Sequence, residues 1–572
     1  MARVGLLKLS VRLACLVAVA GCASGQEAQK PAIAAAKQID PAIVAASMCG
    51  TPQDVPKGAG KHMPLIKGLA PVHYAVMAAN PEVQAYVDQG FALLYGFEYD
   101  KARRSFATAR ALDPECAMCA WGEAMAMGPN INSGDMSPAD SKVARELVGK
   151  ALAQTGLPDR DRALLDALSQ RYAPGAPKDQ RGVHAETYAD AMMAAARSWP
   201  GDDVVVMLAA EAAMNVRPWD YWEADAHTPL PWAAKALPLV ETVLARNPDQ
   251  PEAIHLYIHL TEASNDPGRA EKYADKLGAL APQSAHLVHM PSHTYYRLGR
   301  FAESVVINER AVELDEAMAR RLGEDPKFYG YFFHHTGFIM SAAGQIGDGA
   351  TALKMAAELE EAAPADKALK APRLQGALVM ALQTRLQFQS PAEILALKAP
   401  DSRLRAVQPF WHAARAEAFA RQGDPASARR EITLMQKARN GSGAAEEVLT
   451  MERLANETVQ GRLALAVRDY AAAAAYFRAA NAIEKTLPYN EPPFAGRMAT
   501  IALGRALLAA GDNKGARAAF EEALKVRPGN GWALWGLAQA DMPDGDRGGA
   551  KYYAVAFEKV WRGAVPPTLE SL

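Results

Sequence analysis

Cysteine and aromatic side chains are scarce in this chain: five of 572 residues are cysteine, and aromatics make up 7%. Charge of either sign is not in excess, since 62 basic residues against 64 acidic ones leave a formal −2. That balance gives no electrostatic basis for holding nucleic acid, or for lying on an acidic membrane surface. No glycine-rich phosphate loop ending in Lys-Ser or Lys-Thr occurs, and no His-Glu-x-x-His or Gly-x-Ser-x-Gly. The sequence signatures of nucleotide, metalloprotease and serine-hydrolase chemistry are therefore missing. No stretch reads as consecutive β-strands. Alanine is abundant and half the residues are hydrophobic, which predicts helices packed closely through small side chains. The length predicts several units or a repeat array.

The N-terminus carries a local signal. Arg3, Lys8 and Arg12 precede an apolar run, 13–20, too short to span a bilayer. The run ends Val19-Ala20-Gly21-Cys22, which resembles the lipobox of bacterial lipoproteins. That resemblance implies a signal peptide over 1–21 and acylation of Cys22. It also implies a cell-envelope location, at the outer membrane facing the periplasm, with lipid as the sole membrane contact. Residues 26–31 read as a polar tether. In an oxidising compartment two of Cys49, Cys116 and Cys119 pair. A bridge from Cys49 to one of the other two is the favoured expectation, because no βαβ pattern surrounds the Cys116-x-x-Cys119 motif.

Internal repeats decide the fold. With Val83 as position 1 of a 34-residue unit, Gly90, Tyr99, Ala102, Phe106, Ala109 and Pro114 fall at positions 8, 17, 20, 24, 27 and 32. Those are the small, aromatic and helix-ending positions of a tetratricopeptide repeat (TPR). Gly504, Ala516, Phe520, Ala523 and Pro528 repeat the register, and in both units a Trp-Gly pair follows seven residues after the proline. Small residues let paired helices approach, the position-24 aromatic fills the gap between repeats, and proline stops the second helix. The expected fold is an all-α TPR-type solenoid. Its domain map is a tether and N-terminal extension over 22–75, a first solenoid over 76–362, an irregular connection over 363–401 and C-terminal repeats over 402–564. The stretch 214–232, with three tryptophans and three prolines, reads as an ordered loop packed on the solenoid.

Seven of the twelve histidines fall between 255 and 335. In the unit beginning at Pro251, His255 and His259 take positions 5 and 9, and His289 and His293 take the same positions in the next unit. His286 is at position 2, and His334 again at position 5. Positions 5 and 9 share one face of the first helix of a unit. In TPR proteins generally that face lines the concave groove. Glu262 and Tyr296, at position 12, extend it. The expectation is a transition-metal site in the groove with His255, His259, His289, His293 and His334 as ligands. His286, Glu262 and Tyr296 would support it or line the groove. Imidazole suits zinc, copper, iron and nickel alike.

The strings HLYIHLTEAS, APQSAHLVHMPSHTYYRLGR, RPWDYW and DPECAMCAWGEAMAMGPNIN resemble a widespread bacterial TPR family over roughly residues 80 to 350. The chain departs from it at Cys119 and around His335 and Gly337. The resemblance implies the fold and transfers no activity. The reading of function is a lipid-anchored scaffold holding a protein, peptide or small ligand in its groove, together with a metal. No catalytic residue is assigned. A metal-dependent enzyme, redox or hydrolytic with Glu262 as general base, is the second reading, and a purely structural envelope protein the third.

Overall fold

A computed structural model describes residues 63–78, 80–175, 178–371, 373–440, 446–493, 498–542 and 547–572. The signal segment, Cys22, the tether and Cys49 lie outside the described residues. All the described residues belong to one compact unit, 40–572. They are α-helical apart from loops, short 3-10 turns and a single isolated bridge between Trp222 and Pro229. No helix among them is long and apolar enough to cross a membrane.

The helices pair in hairpins, and the first pair shows how. Helix Pro81–Tyr95 begins where the Asn80 side chain accepts from the amides of Glu82 and Val83, with Pro81 at the first helical turn. Its partner Tyr99–Leu112 lays Phe106, fully buried, against it. A Cβ added at Gly90 would sit 2.5 Å from the Phe106 ring, and one at Gly122 2.3 Å from it. Phe106 is thus clamped between two glycine backbones. Phe520 is held the same way by Gly504 and Gly536, each leaving 2.5 Å to a notional Cβ, and Phe477 leans on Gly461. The position-8 and position-24 logic of the repeat is met three times over. The fold is an all-α TPR-type array.

Two expectations need correction. Residues 363–401 are largely helical, with helices Ala365–Lys370, Arg373–Phe388 and Pro391–Ala396. The disulfide joins Cys116 to Cys119. Helix Ala117–Met125 brings the two within reach, because one turn separates Cys116 at its N-cap from Cys119. The two repeat blocks, whose continuity the sequence leaves open, touch: Trp532 Nε1 donates to the Gly344 carbonyl at 2.8 Å, and Asn530 Nδ2 to Gln345 Oε1 at 2.7 Å. Gly299, at φ 79°, would push a Cβ to 2.0 Å from the Pro528 carbonyl oxygen, so only glycine admits that contact. The loop over 215–230 is ordered as expected, closed by the Trp222–Pro229 bridge.

Candidate metal centre

Successive hairpins bring the histidines together. Helix Pro251–Glu262 starts at Gln250, whose side chain accepts from the Ala253 amide at 2.6 Å, and all twelve of its residues are buried. The next unit departs from a single continuous helix. It breaks into Ala285–His289 and Pro291–Leu298, because Pro291 has no amide hydrogen for the carbonyl four residues back. Met290 keeps helical dihedrals (φ −52°, ψ −37°), so His289 and His293 still share a face with ring centroids 4.8 Å apart. Helix Phe332–Gln345 supplies His334 and His335.

Where the sequence places these side chains in an open groove, the structure buries them. All seven histidines from His255 to His335 are at most 1% exposed. Distant segments cover them. Phe97 lies 4.4 Å from the His255 ring, Trp219 meets His259 edge-on at 5.1 Å, and Tyr331 stacks on His286 at 4.3 Å. Phe97 and Trp219 both hold left-handed backbone angles, φ 49° and 67°. Non-glycine side chains take that region at a cost, and do so most often where surrounding contacts dictate their position.

Within the cluster two triads have ligand atoms mutually within 4.8 Å: His255, His259 and His286, and His289, His293 and His334. The helix over 285–298 serves both, giving His286 to the first and His289 and His293 to the second. His286, expected in a supporting place, is therefore a full member of a triad. Tyr296 stands one layer back. Its hydroxyl is paired with Ser341 at 2.9 Å and its ring rests on Phe338, which in turn packs on His293 and His334.

The orientation of the rings carries the chemistry. Nδ1 of His259 donates to Glu262 Oε1 at 2.8 Å, and Nδ1 of His293 to Glu262 Oε2 at 2.6 Å. Burial pushes Glu262 upward, but His293 and the hydrogen bonds from both histidines outweigh it and hold the carboxyl at about 2. An ionised carboxylate only accepts, so each Nδ1 carries a proton, which leaves Nε2 as the ring's one nitrogen able to offer a lone pair. Asn308 does the same for His289. Its Nδ2 donates to the Ser304 carbonyl at 2.7 Å, which turns Oδ1 toward His289 Nδ1 at 2.5 Å. Nδ1 of His255 pairs with Glu252 at 3.1 Å.

The Nε2 lone pairs then face inward. Nε2 of His289 and of His293 lie 2.8 Å apart, and Nε2 of His334 lies 3.4 Å from that of His293. Among the described residues no hydrogen bond reaches Nε2 of His255, Nε2 of His259 or either nitrogen of His286. Either a ring proton or a metal ion between these nitrogens offsets the repulsion that two bare lone pairs would have at such distances. Ligands about 2.05 Å from a metal are separated by ~2.9 Å at a right angle and ~3.3 Å at the tetrahedral angle. The observed 2.8 and 3.4 Å lie just outside the two ends of that range.

Protonation works in the same direction. Burial, with the neighbouring imidazoles adding to it, holds His255, His286 and His289 well below the usual histidine range, and burial also lowers His259. These rings are neutral near pH 7, the form that binds metal. Both oxygens of Glu262 are engaged by His259 and His293, and the Tyr489 hydroxyl, 2.5 Å from Glu491, lies 3.0 Å from Oε2. Glu262 thus orients ligands and is not free to act as a general base. Glu252, Asn308, Tyr489 and His335, whose Nδ1 lies 3.1 Å from Asp315, escape sequence reasoning. The three-residue spacing of Glu252 to His255 is the sole local signal among them.

The tetratricopeptide repeat family matches residues 507–551. No curated protein sequence matches the chain. Among solved structures it is similar to the APC/C hetero-tetramer Cut9-Hcn1 (14% identity, covering 86% of this chain and 89% of that one, TM-score 0.27). It is also similar to yeast Tom70 (14%, 82% and 99%, TM-score 0.30) and to a human IFIT1 dimer with m7Gppp-AAAA (13%, 85% and 91%, TM-score 0.30). The match at residues 507–551 and the helix pairing agree on a TPR-type all-α fold among the described residues.

Proposed function

We propose that this chain is an exported, lipid-anchored TPR scaffold that engages a protein or peptide partner and holds a transition metal in its histidine core. One observation supports the metal reading above the rest: ring nitrogens turned outward are fixed by Glu262, Asn308 and Glu252, while the opposite nitrogens converge, those of His255 and His259 with no hydrogen bond and those of His289 and His293 with only each other and His334 for partners. Metal-binding histidines have this two-sided arrangement, because the outer partner sets the tautomer and aims the ring. Histidines present only for packing would satisfy both nitrogens. Nitrogen-only ligation suits zinc, copper, iron or nickel. A supporting role for the metal fits better than catalysis, given the burial of the site and the engagement of Glu262.

Elemental analysis of protein purified without an affinity tag tests the metal. Transition metal co-purifying with wild type and lost from the His255→Ala/His289→Ala double variant supports it; metal-free protein after growth in metal-replete medium contradicts it. The anchor is tested separately. Cys22→Ser is expected to move the protein from the membrane fraction to the soluble fraction and to abolish labelling by a fatty-acid analogue. Unchanged fractionation would remove the lipid anchor from this reading.

A further inference from the structure

We infer that the core is built for two metal ions, one in each histidine triad, with Glu262 as the support they share. This rests on the metal reading above and adds the number of ions and their division among the ligands.

Two observations carry it. First, the six imidazoles separate into two compact groups of three instead of converging on one point, and His255, His259 and His286 share no grouping with His334. Three histidines form a complete protein ligand set for a four-coordinate ion, so six suit two. Second, Glu262 binds one histidine of each triad through Nδ1, His259 by one oxygen and His293 by the other. Those two rings lead away from a common carboxylate, each carrying its Nε2 into its own group. Their centroids are 5.6 Å apart, and those of His286 and His289, the other pair across the divide, 5.8 Å. The two ions would be neighbours.

A grouping of His259, Glu262 and His293 also exists, and it defines the competing arrangement: a single ion held directly by the carboxylate. Native mass spectrometry of the detergent-solubilised full chain, titrated with Zn²⁺, separates the possibilities. The expected result is two zinc ions per wild-type chain, one in His286→Ala and one in His334→Ala. Glu262→Gln should keep both ions but bind each about 10- to 100-fold more weakly, since it loses only the orienting charge. Saturation at one ion, abolished by Glu262→Gln, would overturn the two-ion arrangement and leave the metal reading intact. No bound zinc in wild type would overturn both. If an alanine variant loses its helical circular dichroism, a Co²⁺ titration of wild type decides alone. Visible absorbance rising to two equivalents supports the inference, and a break at one equivalent refutes it.

Discussion

Phe106→Ala is expected to destabilise the N-terminal repeats by about 3–5 kcal/mol, the usual cost of emptying a buried aromatic site. The ring is fully buried between the backbones of Gly90 and Gly122, and neither glycine has a side chain that could move into the space. The cavity would therefore persist, which places the cost toward the upper end. Hydrogen exchange of the amides in helices Pro81–Tyr95 and Tyr99–Leu112 reads this locally, which matters because repeat arrays open in parts. Phe520→Ala should act alike on helices Ala499–Ala509 and Asn513–Val526. A loss below about 1 kcal/mol at both sites would contradict the clamped-aromatic description, since removing even a single buried methylene costs nearly that much.

Metal should stabilise the protein by a comparable amount. A ligand that binds only the folded state at 1,000 times its dissociation constant adds about 4 kcal/mol per site. The sign follows from the cluster itself. Among the described residues, buried ring nitrogens of His255, His259 and His286 have no hydrogen bond, and Nε2 of His289 meets Nε2 of His293 at 2.8 Å. Each such unsatisfied buried group costs about 1–3 kcal/mol, and a bound cation removes that cost. Differential scanning calorimetry should therefore show the transition of the central repeats rising on addition of Zn²⁺ and falling back with chelator. His293→Ala should abolish most of the response at its triad. A transition insensitive to zinc and chelator would mean that the nitrogens are satisfied some other way.

How far the sequence foretold this structure depends on distance along the chain. The register of Gly90 with Phe106, and of Gly504 with Phe520, is local: it sits inside one 34-residue unit and dictates helix pairing directly. The histidine periodicity was legible for the same reason, and His255, His259, His289, His293 and His334 do gather in one cluster. What the period left out was which imidazole meets which. Spacing of i and i+4 fixes a common face, but the choice of neighbour depends on inter-helix packing, so His286 entered a triad unannounced by its position. Pro291 could have signalled the break between His289 and His293, since a proline six residues into a helix removes a hydrogen bond. The lids were harder. Phe97, Trp219 and Tyr489 reach the cluster from segments 158, 40 and 230 residues away from His255, His259 and His259 respectively, and such contacts leave no periodic trace. Their closure converts the expected open groove into a buried core. The cysteine pairing was missed because the absence of a βαβ pattern weighed against the motif, although a helix N-terminus alone brings Cys116 and Cys119 together.

The metal core is tested most directly by anomalous diffraction from crystals of the full chain grown with Zn²⁺, recorded above and below the zinc absorption edge. The expected result is anomalous density inside the histidine cluster, within about 2.0–2.1 Å of Nε2 atoms from His289, His293 and His334 or from His255, His259 and His286. Density confined to surface carboxylates, with the buried imidazoles hydrogen-bonded only to each other and to water, would contradict it.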